Sequence, residues 1–232
     1  MKYTLLISAL LFISLLTFSC TKNSNTAPET ATISFKIEFS GSSVKQAAAD
    51  SVVIFIYEDN QLYETLIPEI GDSTATASVE LDFGKYDFRV ELYLNSDKIY
   101  FGEKNGFDVN INTFNVTISV YPVPVLNANT SEIDFGDVVT GQYSSVSTFL
   151  LSGTNIIDSV FINSPDGFEI SKDTVSANFK MDEISFSLAE FDSVKTVYVR
   201  GKAAAPGQIS GFVSCSTKEA EDVFIFLKLN GI

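Results

Sequence analysis

From Ala31 to the C-terminus, apolar residues recur at every second position in short runs, and no stretch repeats at a helical spacing. A period of two belongs to strands with one buried face, so the chain is expected to be all-β. Lys85 to Leu94 is the clearest case. Tyr86, Phe88, Val90, Leu92 and Leu94 alternate with Lys85, Asp87, Arg89, Glu91 and Tyr93, and the first set is expected to point inward. Ile33, Phe35, Ile37 and Phe39 repeat the pattern against Ser34, Lys36, Glu38 and Ser40. Ser51 to Tyr57 runs almost without a polar residue, which predicts a central strand covered on both faces. Phe107, Val109 and Ile111 keep one parity, whereas Phe114, Val116, Ile118 and Val120 keep the other. One strand cannot hold both, so Asn112-Thr113 is expected to be a turn or a bulge, where the chain crosses between sheets.

Tyr121-Pro122-Val123-Pro124 closes the first group of strands, because proline has no N–H for a ladder and alternate prolines favour a stiff extended spacer. The expected organisation is two β-sandwiches in tandem, residues 31–121 and 131–232, joined by a linker over 122–130. In the first, Leu81-Asp82-Phe83-Gly84-Lys85-Tyr86-Asp87-Phe88 resembles the tyrosine corner of immunoglobulin-like domains and equally the Gly-x-Tyr hairpins of transthyretin-like modules. The resemblance implies one or other of these sandwiches. In the second, Ser131-Glu132-Ile133-Asp134-Phe135-Gly136-Asp137-Val138-Val139 is followed by Leu151-Ser152-Gly153-Thr154-Asn155, Gly167-Phe168-Glu169-Ile170, Val197-Tyr198-Val199-Arg200 and Leu229-Asn230-Gly231. This series resembles the Hydin-type immunoglobulin-like repeat, also seen in bacterial choice-of-anchor D envelope proteins. It implies an immunoglobulin-like fold and a spacer, adhesion or assembly role, with little further functional content.

The N-terminus has a different character. Lys2 precedes an apolar core from Leu5 to Leu16, and residues 1–19 read as a secretory signal peptide. As a helix that core would span roughly 18 Å, short of the ~30 Å hydrocarbon layer. Leu15-Leu16-Thr17-Phe18-Ser19-Cys20 resembles the bacterial lipoprotein signal, with Ser19 fitting well and Thr17 and Phe18 departing from the usual residues. The resemblance implies lipidation of Cys20, a mature chain of 213 residues, and membrane attachment through the lipid. Thr21 following the Cys implies sorting to the outer membrane, facing either the periplasm or the outside. Residues 20–30 then form the lipidated end and a polar tether.

Composition excludes several chemistries. There is no His and no Trp in 232 residues, so imidazole-based acid–base catalysis and histidine metal sites are absent. The net charge of -14 argues against nucleic acid as a partner, which calls for Lys and Arg. It is shared evenly, with 6 basic and 14 acidic residues in 31–121 and 7 and 14 in 122–232. No cofactor is expected. With Cys20 acylated, only Cys215 remains, and its parity with Ile209 and Val213 predicts an inert buried thiol. The adjacent acids Glu58-Asp59, Asp182-Glu183 and Glu221-Asp222 are expected to be solvated turns, and Asp108, Asn110 and Asn112 the polar side of a strand.

One feature points to a partner. If Thr217 to Glu221 form a hairpin loop, Phe212 falls opposite Phe226 and Ser214 opposite Phe224, so Phe212, Phe224 and Phe226 gather on the outer face of the sheet. Either an external partner, or the first sandwich or a loop, is then expected to cover them. Five Asp-Ser/Thr-aliphatic or Asp-Ser-Thr triplets, centred on Ser51, Ser73, Ser159, Thr174 and Ser193, resemble O-glycosylation acceptors of one group of Gram-negative bacteria. The functional expectation is a non-catalytic outer-membrane lipoprotein serving as an envelope binding, adhesion or assembly module, with an unidentified protein or glycan as partner. The alternatives are a glycan-binding accessory lipoprotein and a fimbrial or filament subunit.

Overall fold

The computed structural model describes residues 29–39, 49–70 and 74–232. The signal segment 1–19, Cys20, most of the 20–30 tether and Ser73 lie outside the described residues. Among the described residues the one helical stretch is a single turn at Ser176–Asn178, and no helix is long and apolar enough to cross a membrane.

The first half contains β1 (Thr30–Phe39), β2 (Ser51–Glu58), β3 (Gln61–Leu66), β4 (Glu69–Ile70), β5 (Ala75–Asp82), β6 (Gly84–Leu94), β7 (Asp97–Val109) and β8 (Asn115–Pro122). They hydrogen-bond in the order β3-β2-β6-β7-β8-β1-β5-β4. β7 meets β8 only at Tyr100–Pro122 and Phe101–Tyr121, and there the sheet folds over on itself. Phe35 of β1 and Phe88 of β6, far apart in that order, touch edge to face with centroids 5.0 Å apart. The two layers therefore face each other across one core, which holds Ile33, Ile37, Ile54, Val90, Leu92 and Ile118. The fold-over depends on Gly102, since a Cβ there would lie 2.4 Å from the Ser119 carbonyl oxygen.

The alternation reads correctly through most of β6, with Tyr86, Phe88, Val90 and Leu92 buried. Leu94 is a correction, being 36% exposed where β6 runs out past the edge of the core. β2 is another. Val52, Ile54 and Ile56 are buried, but the opposite parity is only half-buried, because among the described residues no layer packs on the outside of β2. Between β7 and β8 the expected turn is present, closed by Asn110 N–H donating to Thr113 Oγ1 and Thr113 N–H to the Asn110 carbonyl, both at 3.0 Å. It carries the chain from the β6 layer to β1, which β8 joins in parallel.

Tyr86 does not form a tyrosine corner. That motif requires the phenol to bond backbone, whereas the Tyr86 hydroxyl is buried with no hydrogen-bond partner. Burial, reinforced by Glu58, Tyr63 and Asp82, pushes its pKa up to about 12. Since an unpaired buried hydroxyl costs about 1–3 kcal/mol, Tyr86→Phe is expected to stabilise the protein by about 1 kcal/mol, read as a higher urea midpoint at unchanged slope. A lower midpoint would show that the hydroxyl has a partner in solution.

The second half contains β9 (Val125–Ala128), β10 (Glu132–Val138), β11 (Ser147–Thr154), β12 (Val160–Asn163), β13 (Phe168–Ser171), β14 (Glu183–Phe186), β15 (Lys195–Gly201), β16 (Gly207–Ser216) and β17 (Val223–Gly231). A five-stranded sheet, β10-β17-β16-β12-β14, faces a four-stranded one, β13-β15-β11-β9. The smaller sheet follows the D-E-B-A order of immunoglobulin sandwiches, and β10 runs parallel to the last strand β17. Phe149, Phe168, Val197, Val199, Val213, Ile225 and Leu227 fill the space between them. β9 falls within the 122–130 stretch expected as linker, yet it pairs with β11 and puts Leu126 in this second core. Only Val123 and Pro124 lie between the last strand of one sandwich and the first of the next, and the Val123 N–H donates to the Ile99 carbonyl at 3.0 Å.

Candidate functional site

The β16–β17 hairpin has the register that its loop length implies: Phe212 pairs with Phe226, Val213 with Ile225, Ser214 with Phe224 and Cys215 with Val223. Because strands alternate, Val213, Cys215 and Ile225 enter the core and the phenylalanines are left outside. The Phe212 ring stands between the other two, 5.1 Å from Phe226 and 6.4 Å from Phe224. Phe212 is 58% and Phe224 54% exposed, so among the described residues neither the first sandwich nor a loop covers this face. Phe226 is half-buried beneath Phe212 and beside Glu132 of β10. The one lysine of the same face, Lys228, is committed to Glu132 at 2.6 Å and Asp134 at 3.3 Å. Asp222 is exposed at the entrance to β17. The aromatic cluster is thus rimmed by acid with no uncommitted cation on β16 or β17.

The loop of the same hairpin makes the contact between the two halves. Glu219 accepts from both Nη atoms of Arg89 on β6, at 2.9 and 2.6 Å, and from Lys98 Nζ on β7 at 2.9 Å. Arg89 also reaches Glu103 at 3.0 Å, and Glu103 accepts from Lys218 at 2.9 Å. Glu91 completes the group, accepting from Arg89 Nε at 2.7 Å and from the Tyr93 hydroxyl. Hydrogen bonding from Arg89, with Lys98 in support, holds the Glu219 carboxyl down at about 2. Sequence reasoning missed this cluster, whose central pair is separated by 130 residues. A signal was present in the composition, because only Arg89 and Arg200 are arginines among 15 cations, and a rigid five-donor fork marks multidentate sites. Arg200 is the second hub. Its guanidinium lies between the Tyr143 ring at 4.1 Å and the Phe179 ring at 4.3 Å, and binds Glu169 and Ser176, fastening a loop over the four-stranded sheet.

The other residues singled out in the sequence are dispersed. Cys215 is fully buried, and burial pushes its thiol up to about 12, far from a reactive thiolate. Thr174 and Ser193 are exposed in loops, whereas Ser51, the first residue of β2, and Ser159, just before β12, are half-buried, with the Ser51 hydroxyl donating to Asp50. Glu58-Asp59 sits at a tight hairpin turn in which Asp59 and Asn60 both have positive φ. Asn110 binds Asp108, and the Asn112 N–H binds Asn110, so those side chains close a turn. Among the described residues no group of three or more Cys, Asp or Glu is placed to hold a metal ion.

No family model matches the chain, and no curated protein matches it significantly. Among solved structures, PapD-like domain 7 of human CEP192 is 14% identical, with 46% of this chain and 84% of that one aligned at a TM-score of 0.32. The major pilin subunit BcpA of Bacillus cereus is 10% identical over 86% of this chain and 69% of its own, at 0.30. A DUF3823 family protein of Parabacteroides merdae is 15% identical over 87% and 100%, at 0.24. At such scores none of these likenesses bears on function, and the sandwich architecture rests on the sheet order and the two cores.

Proposed function

We propose that the protein is a non-catalytic, lipid-anchored module of the bacterial outer membrane whose five-stranded sheet binds a partner protein through Phe212, Phe224 and Phe226. The observation that carries this reading is the uncovered aromatic cluster on a strand pair whose other face is core. Contiguous apolar surface of this kind marks interaction sites. The acidic rim of Glu132, Asp134 and Asp222 favours a partner presenting apolar side chains flanked by Lys or Arg, and disfavours a second copy of a chain with net charge -14. The Cys20 signal resemblance supports the anchor, and the Hydin-type resemblance of 131–231 supports a module that presents a surface.

A filament subunit is the second reading, favoured by one observation. β3 is an edge strand along which nearly every residue is exposed, including Leu62 at 57% and Tyr63 at 46%, and such an edge is a template for an added strand.

Immobilised peptides of equal length, one alternating Leu with Lys and the other Leu with Glu, test the leading reading. The protein is expected to prefer the Leu–Lys peptide, and Phe212→Ser with Phe226→Ser to weaken that binding about 30-fold, the effect of losing roughly 2 kcal/mol at a hot spot. Unaltered binding by a double variant that melts normally would sink the Phe face. In a Gram-negative host the same variant should stay in the membrane fraction, whereas Cys20→Ala should leave it; Cys20→Ala remaining there would sink the anchor.

A further inference from the structure

We infer that the hairpin tip Lys218-Glu219 is a latch: its ion pairs hold the second sandwich in one orientation against β6 and β7 of the first, and screening or removing those charges lets the two bodies pivot about Val123-Pro124. The inference stands apart from what the Phe face binds.

Four observations carry it. The two hydrophobic cores share no residue, so neither core runs on across the junction. Beside the tip lies an open, mostly polar cleft of about 630 Å³ lined by Ser96, Asp97, Lys98, Val123, Glu219, Ala220 and Glu221, where an apolar interface would be filled. The cross-contacts are instead ionic, Glu219 to Arg89 and Lys98 and Lys218 to Glu103, with Arg89 and Lys98 still 23% and 28% exposed and hence open to screening.

The backbone of the tip is also strained for this purpose. Glu219 has φ of +67°, a region that a residue with a Cβ occupies at a cost and keeps only when its surroundings hold it there. One side of that hold comes from its own sandwich. Thr217 is buried and its hydroxyl donates to the Ser159 carbonyl at 3.0 Å, fixing the base of the loop. The other side is the carboxylate, gripped by two cations of the first sandwich. A residue chosen only to turn the chain would be Gly or Asn; glutamate is explained by what its side chain reaches.

The charges surrounding Glu219 are Arg89 and Glu91 with Tyr93 on β6, Asp97, Lys98 and Glu103 at β7, and Lys218 and Glu221 on the loop. Since its carboxyl titrates lower in the folded protein than when free, the latch is fully closed above about pH 4.5 and is lost only as pH falls towards about 2. Salt, not mild acid, is the lever that opens it.

The test is the distribution of distances between spin labels on exposed Thr65 and Thr174 in the full chain. The protein is expected to give one narrow distribution at low salt, and Glu219→Gly to broaden it at least twofold. Glycine relieves the strained φ, so the hairpin itself stays formed and the second sandwich should melt no lower. Arg89→Gln, which leaves the loop untouched, should broaden it likewise, as should 1 M NaCl with the unaltered protein. A distribution equally narrow in both variants, or already broad in the unaltered protein at low salt, overturns the latch.

Discussion

Phe88→Ala is expected to cost the first sandwich about 3–5 kcal/mol, the range for deleting a buried phenyl ring. Phe88 is 1% exposed and touches Phe35 across the sandwich, Phe107 on the neighbouring strand and Tyr86 along its own. Three rings would lose their common partner, and residues held on two opposing layers cannot close the void without moving a sheet. A loss of this size is a large part of the about 5–15 kcal/mol that holds a typical domain. At about 4–8 °C per kcal/mol for a domain of this size, the first melting transition should fall by more than about 10 °C. The second is expected to stay in place, because no side chain of its core borders the cavity. Calorimetry reads both. Should the two transitions fall together, the halves unfold as one cooperative unit, and the ion cluster contributes more than orientation.

Gly102→Ala is expected to cost about 2–3 kcal/mol, at the upper end for overpacking, despite adding a single methyl group. The reason is what that methyl meets. The Ser119 carbonyl oxygen is backbone and cannot rotate away as a side chain would, and Ile118 Cγ2 would lie only 3.1 Å from the same methyl. The remaining relief is to spread β7 from β8, and two residue pairs are all that join them. Hydrogen exchange at Phe101 and Tyr121 should therefore quicken together with the fall in urea midpoint. Gly106→Ala is the control on the same strand. Its Cβ would meet nothing within 4 Å and only the positive φ of 64° is at issue, so about 1 kcal/mol is expected. Equal costs at the two positions would mean that β8 gives way easily and that the corner is not tight.

What was legible in the sequence follows from the range over which each feature is encoded. Alternation is local, and it placed the inward faces of β1, β6 and β8 and, through a five-residue loop, the whole register of β16 with β17. The Phe face followed from that register, since a pair's facing residues are set once its loop is known. The failures needed information from elsewhere in the chain. Whether Leu94 is covered depends on where the opposing layer ends, and whether Ser51–Tyr57 is buried on both sides depends on a second covering layer, which is absent among the described residues. Val125–Ala128 looked like spacer because two prolines precede it, yet it is placed by β11. Tyr86 fits the tyrosine-corner spelling without its hydrogen bond. Arg89 and Glu219 carry no local mark of each other at all, and only the scarcity of arginine set Arg89 apart.

Both sandwiches close in the same way. An early strand of each is zipped, in parallel, to its closing one: Ser34 of β1 meets Asn115 of β8, and Glu132 of β10, the second strand of its sandwich, meets Phe226 of β17. Pairings between distant segments form late and slowly. A chain delivered from its N-terminus therefore cannot complete the first body until β8 has emerged, nor the second until β17 has. During that interval β1 and β10 wait with unpaired backbone edges. The order of delivery thus imposes a schedule on each body, and in the second the hairpin that bears the aromatic face and the interdomain contact is the last piece to be made.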